Sequence, residues 1–189
     1  MKQSNVDKAL IKIPRRAFLP ADMQQHANLD APISIGFGQT NSQPYTVRLM
    51  LEWLDVRSGQ KVLDVGSGSG WTSALLAYLV GNEGRIIAIE RIPQLVSFGR
   101  QNCQSLGIKN VAFYQADIKL GYANHAPYDR ILVSAAATHM PTSLIDQMSI
   151  NGKVVIPIQN NIVVAHKDTK EKIVSTSHPG FVFVPLINS

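Results

Sequence analysis

Residues 62–70 read Val-Leu-Asp-Val-Gly-Ser-Gly-Ser-Gly, an apolar strand running straight into a turn with glycine at every second position. Gly66, Gly68 and Gly70 permit a tight turn and let the backbone touch a ligand that a Cβ would exclude. A second apolar stretch at 85–90, Arg-Ile-Ile-Ala-Ile-Glu, ends on Glu90, 20 residues beyond Gly70. A carboxylate at that distance from a glycine-rich turn is placed to hold the two hydroxyls of a ribose. The pattern predicts an α/β sheet with a site for a nucleoside-containing cofactor at its strand ends.

The spacing narrows the cofactor. A dinucleotide turn reads Gly-x-Gly-x-x-Gly, with a pyrophosphate on the next helix N-terminus. Here it is Gly-x-Gly-x-Gly, with Asp64 two residues before the first glycine. This resembles the first motif of S-adenosyl-L-methionine-dependent methyltransferases. Their cofactor has no phosphate but carries a sulfonium and an ammonium, charges that suit an acidic Asp64. The other reading of the turn is a tight strand-to-helix connection without a ligand.

Length and composition bound the rest. At 189 residues the chain is expected to form a single domain over 1–189, with 1–45 as an N-terminal helical and loop extension. No apolar run approaches the roughly 18 residues of a membrane span, and the first residues lack the apolar core of a signal peptide. A cytoplasmic location and no membrane partner are therefore expected. The single cysteine, Cys103, excludes an internal disulfide framework and a multi-cysteine zinc site, and no metal is expected. The net charge of +5 suits an anionic partner, yet the lysines and arginines are dispersed. Without a basic tract interleaved with aromatics, nucleic acid is not indicated, and acidic peptides would be attracted equally well.

Along the chain, 5–12 reads as a short helix, 32–43 as loop, and a helix starts at Pro44, where Val47, Met50, Leu51 and Leu54 recur at helical spacing. Helices at 71–80 and 93–106 alternate with strands at 62–65, 85–90 and 110–115. Strands at 130–135 and 153–158 flank a helix near 142–149. The tail, 161–166, 172–176 and 180–186, is strand-like without intervening helices. The expectation is a doubly wound Rossmann-like sheet, mostly parallel, wrapped on both faces and finished by antiparallel C-terminal strands. Asp117, closing the third strand unit, should face the crevice of Gly66 and Glu90.

Several segments then carry a more specific resemblance: Phe18-Leu19-Pro20; Ser34-Ile-Gly-Phe-Gly-Gln-Thr-Asn-Ser-Gln-Pro-Tyr45; residues 62–70; Ala126-Pro-Tyr-Asp-Arg-Ile-Leu-Val-Ser-Ala-Ala-Ala137; residues 141–147; and Phe181-Val-Phe-Val-Pro-Leu186. In this order they resemble the protein-L-isoaspartate O-methyltransferase family. The resemblance implies methyl transfer from S-adenosyl-L-methionine to the α-carboxylate of L-isoaspartyl residues in damaged proteins and peptides, by a monomer. It implies Ser42 as the active-site serine, although a serine just before Pro44 could also cap the helix. It implies cofactor contacts at Gln39, Thr40, Asn41, Ser42, Asp64, Gly66, Ser67, Gly68, Ser69, Gly70, Glu90, Arg91, Asp117 and Ile118. The family usually has isoleucine where Asn41 stands and glycine where Ile118 stands, so Ile118 is expected to crowd an adenine. The alternatives are a methyltransferase acting on RNA or a small molecule, a catalytically weak cofactor-binding homologue, and a nicotinamide-dependent oxidoreductase.

Overall fold

The computed structural model describes residues 3–187. Ser4 opens α1 (Asn5–Lys12) through a reciprocal capping box with Asp7. Two 3₁₀ turns, Arg15–Phe18 and Ala21–His26, lead into a hairpin of β1 (Ile33–Gly36) and β2 (Gln39–Asn41). This hairpin replaces the loop expected at 32–43. Its glycine-rich, polar composition hides it, because only two apolar side chains, Ile33 and Ile35, point inward, onto Leu19 and Leu95.

Helix α2 (Pro44–Leu54) begins at its proline, and β3 (Lys61–Val65) follows. Then come α3 (Trp71–Val80), β4 (Arg85–Glu90), α4 (Pro93–Ser105) and β5 (Val111–Gln115). The second half holds β6 (Tyr128–Val133), a short α5 (Thr142–Asp146), β7 (Met148–Ile158), β8 (Asn161–Lys167) and β9 (Ile173–Pro179). One seven-stranded sheet has the order β5-β4-β3-β6-β7-β8-β9; the first five strands are parallel, and β8 and β9 are antiparallel additions. The strand order reverses between β3 and β6, which is where such sheets bind ligands.

Alternation along the buried strands divides the core. Val62, Ile86, Leu132 and Val155 face α1 to α4, whereas Leu63, Ile87, Ile131 and Val154 face the other side. The expected wrapping on both faces is uneven. All four long helices pack on the first face, and the second is covered by α5 and the connection through Leu120 and Tyr122. Helix α5 is shorter than the expected 142–149 because β7 already begins at Met148.

The expected strand at 180–186 does not form. At Gly180 (φ +96°) the chain leaves β9, and Phe181 packs edge-on against Trp53 of α2. The segment then crosses the strand ends: the Ala136 amide donates to Val184 O and the Leu186 amide to Ala136 O. Burying Phe181 and Phe183 against the core keeps this strap from extending the sheet.

The C-terminus of α2 is capped from the sheet. Buried Arg130 donates through Nε to the carbonyls of Leu54 and Asp55, and Lys153 Nζ donates to Trp53 O at 3.0 Å. Both cations sit at the negative end of the helix dipole and satisfy carbonyls that have no intrahelical partner. Arg130→Met should therefore lower unfolding free energy in urea by about 2–3 kcal/mol with an unchanged m-value. A loss within about 0.5 kcal/mol would show that the carbonyls need no such partner.

Candidate cofactor and substrate crevice

Outside the carboxyl ends of β3, β4 and β6 lies a crevice of two lobes that share Gln39, Gly66, Glu90 and Ala135 as a common wall. The first lobe has apolar walls at Ile89, Ala116, Leu120 and Leu186, and carries Asp117, Arg91 and Lys119 beside Glu90. The second is polar: Thr40, Ser42, Ser67, Ser69, Thr72 and Ser134 line it, with Trp71.

The glycine turn is fixed from several sides. A side chain at Gly70 would be strained by its φ of +88°, and its Cβ would press on Gly99 of α4 at 3.0 Å. Glu90 is 7% exposed; its Oε2 accepts the Gly68 amide at 3.1 Å and its Oε1 the Ile92 amide at 3.0 Å. Each oxygen keeps a lone pair for a hydroxyl donor, and Glu90 lines both lobes. Beneath the turn, fully buried Asp64 accepts the hydroxyls of Thr72 and Ser73 on Oδ2 at 2.8 and 2.6 Å. Among the described residues, Asp64 Oδ1 and Ser67 Oγ are buried without a partner. Burial pushes the Asp64 carboxyl up to about 6, against the two hydroxyls, and the charge of Glu90 adds to the rise.

The substrate-side segment hangs on an arginine. Arg15, 5% exposed, donates Nε to Asn41 Oδ1 at 2.7 Å, Nη1 to Leu29 O, and Nη2 to the carbonyls of Ala31, Asn41 and Ser42. Its guanidinium lies over the Trp71 ring at 5.5 Å, a cation–π contact. Desolvation brings Arg15 down to about 10, so it stays charged at neutral pH. The N-terminus of α2 is capped by Asp30, whose Oδ1 accepts the Tyr45 amide at 2.9 Å. The Ser42 hydroxyl makes no hydrogen bond with any described residue, and the N-cap position is Gln43. The capping alternative for Ser42 is thereby removed.

Of the expected site residues, Gln39, Thr40, Asn41, Ser42, Gly66, Ser67, Gly68, Ser69, Glu90, Arg91 and Asp117 line the crevice. Asp64, Gly70 and Ile118 do not. Asp64 supports the turn from below, and Gly70 starts α3 against Gly99. The Ile118 side chain is 73% exposed, so it does not fill the first lobe as its bulk led us to expect; its amide donates to Asp117 Oδ1 at 2.7 Å. Sequence reasoning missed Arg15, Asp30, Ser134 and the strap residues 184–187. Arg15 reads as half of an unremarkable Arg-Arg pair, and only the tertiary fold brings 184–187 to the crevice.

The sequence model of the protein-L-isoaspartate(D-aspartate) O-methyltransferase family, PCMT, matches residues 1–189. The chain belongs to this family. A Methanopyrus kandleri protein-L-isoaspartate O-methyltransferase is 42% identical over 192 residues, covering 99% of this chain and 85% of its own length. A solved protein-L-isoaspartate O-methyltransferase superposes with a TM-score of 0.88 at 26% identity; the match covers 97% of this chain and 61% of that one. A Plasmodium falciparum structure, a candidate PCMT in complex with S-adenosyl-L-homocysteine, gives a TM-score of 0.84 at 25% identity over 100% of this chain and 93% of that one. The mostly parallel sheet with antiparallel C-terminal strands is thus the methyltransferase fold of the PCMT family.

The crevice fits the cofactor of this family. The first lobe offers apolar walls for a purine, Glu90 offers acceptors for a ribose, and the second lobe holds an unpartnered Ser67 hydroxyl above a buried carboxylate. The pH behaviour of Asp64 is testable in the cofactor-free protein. Its folded value of about 6 lies above the ordinary 3.8, so the native state holds the extra proton between them. Its stabilising contribution is complete below the lower value and is lost as pH rises through the upper one. Asp64→Asn removes that loss, so the stability difference between wild type and variant should move in favour of the variant from pH 4 to 7 in thermal unfolding; parallel curves would contradict the assignment.

Proposed function

We propose that this PCMT protein methylates the α-carboxylate of L-isoaspartyl residues in damaged proteins and peptides, using S-adenosyl-L-methionine. One observation carries the reading: the unbonded Ser42 hydroxyl opens onto the same crevice as Glu90 and the glycine turn. Bound there, the cofactor supplies an electrophilic methyl carbon on a positively charged sulfur.

The residues then have distinct work. Glu90 holds the ribose hydroxyls, Arg91 and Asp117 border the purine, and residues 66–70 run along the cofactor's amino-acid end, with Asp64 supplying negative charge from beneath. Gln39, Thr40 and Asn41 close the other wall. A carboxylate with an ordinary pKa near 4 is ionised at neutral pH, so no general base has to activate it. Ser42 donates a hydrogen bond to one carboxylate oxygen and leaves the other free to face the methyl carbon in line. Methyl transfer to that oxygen would give a neutral methyl ester and leave the C–S electron pair on sulfur. The next backbone nitrogen of the substrate then expels methanol to give a succinimide, which hydrolysis reopens partly as aspartate. Catalysis here is mainly orientation in a dry crevice.

We read the protein as a single domain acting as a monomer in the cytoplasm, without a nucleic-acid or membrane partner. Support for the first exclusion is that Lys61, Lys153, Lys167 and Arg130 donate to backbone carbonyls instead of forming a basic surface. Among the described residues no helix is long and apolar enough to cross a membrane. The buried thiol of Cys103 is compatible with a reducing compartment.

Labelled S-adenosyl-L-methionine should transfer base-labile label to an isoaspartyl peptide and not to its aspartyl isomer; measurable cofactor binding without transfer would sink the proposal. Ser42→Ala should lower kcat about ten-fold or more while cofactor Kd stays within about two-fold. Its melting temperature should not change, because no cap is lost. Equal losses in kcat and cofactor affinity would assign Ser42 a different role.

A further inference from the structure

We propose that Asn41 is a positioning residue for methyl transfer, the link that sets the Ser42 segment against the glycine turn. The proposal rests on the isoaspartyl reading above. Asn41 ends β2 between Thr40 and Ser42 and is 5% exposed. Where the family resemblance implies isoleucine, this chain has buried an amide.

The orientation of that amide follows from chemistry. Arg15 Nε can only donate, so the Asn41 atom 2.7 Å away is the acceptor Oδ1. The other terminal atom is then Nδ2, and it donates to Ser69 Oγ at 3.2 Å. Ser69, 2% exposed, lies in the glycine turn, and its carbonyl in turn accepts Asn102 Nδ2 of α4 at 3.0 Å. Arg15 Nη2 also holds the carbonyls of Asn41 and Ser42. A continuous path of hydrogen bonds thus runs from α4 through Ser69 and Asn41 to Arg15 and the Ser42 backbone.

Two consequences follow. With one lone pair of Ser69 Oγ taken by Asn41, the Ser69 proton is directed away from Asn41, in a residue that lines the second lobe. And an apolar side chain at 41 would leave Arg15 Nε and Ser69 Oγ buried without partners, so the path is an interlocked unit. Misplacing Ser42 relative to the turn misaligns the attacking carboxylate with the methyl group, a loss felt in the chemical step.

The test compares Asn41→Ile, Asn41→Asp, Ser69→Ala and the Asn41→Ile/Ser69→Ala double variant. Steady-state kinetics are read on an isoaspartyl peptide, with cofactor Kd by calorimetry and melting temperature alongside. Asn41→Ile should lower kcat about 10- to 100-fold with cofactor Kd within about three-fold. Asn41→Asp keeps an acceptor for Arg15 and can accept the Ser69 hydroxyl, so its kcat should stay within about three-fold of wild type. The double variant should be no slower than the slower single one, since both cut the same path. Wild-type kcat in Asn41→Ile overturns the proposal, as does Asn41→Asp as slow as Asn41→Ile, or losses that multiply in the double variant. If Asn41→Ile does not fold, Ser69→Ala against Asn41→Asp makes the same comparison. Wild type inactive on the isoaspartyl peptide would fail the functional reading itself, whereas an active wild type with indifferent variants fails only this inference.

Discussion

A carboxylate buried under a glycine turn joins the parts of this molecule. Asp64 stands at the end of the central strand and takes two hydroxyls from the first turn of α3, so β3 and α3 are bolted together below the crevice. Everything near the site is packed against that junction. Gly70 lets α4 approach through Gly99, Glu90 grips the Gly68 amide, and Ile35 of the hairpin would meet a Cβ at Gly68 at 3.1 Å. The burial that raises the Asp64 carboxyl is thus part of the construction of the turn, and it places a latent negative charge beneath the glycines.

A second buried ionic group organises the other wall by different means. Among the described residues, Arg15 has no carboxylate in hydrogen-bond contact; backbone carbonyls, the Asn41 amide and the face of Trp71 replace its water. A guanidinium presents five donors in a fixed fork, which lets one side chain gather carbonyls from 29, 31, 41 and 42 into a single geometry. Residues 27–32, between the second 3₁₀ turn and the hairpin, are irregular, and this side chain binds the carbonyls of Leu29 and Ala31 there.

The parallel half of the fold was legible because it obeys simple periods. Residues 71–80 and 85–90 were bounded correctly, since glycine, proline and apolar runs mark their ends, and Glu90 and Asp117 were found from their place after strands. The hairpin at 33–41 escaped because two inward residues are too few for a pattern. The strap at 180–186 reads as a strand by composition, yet Phe181 is drawn back against Trp53 of α2, a tertiary choice that no local propensity encodes. Asn41 was expected at the crevice from its neighbours, but its actual bonds depend on Arg15, 26 residues away. Polar networks of high sequence separation leave no period to read.

The strap has a consequence for biosynthesis. Val184 and Leu186, tied to Ala136, complete walls whose other sides come from Gln39 and Gly66. A ribosome releases the glycine turn long before it releases residues 184–187, so a nascent chain carries the turn without its enclosure. The crevice is therefore enclosed on all these sides only after synthesis has passed the strap.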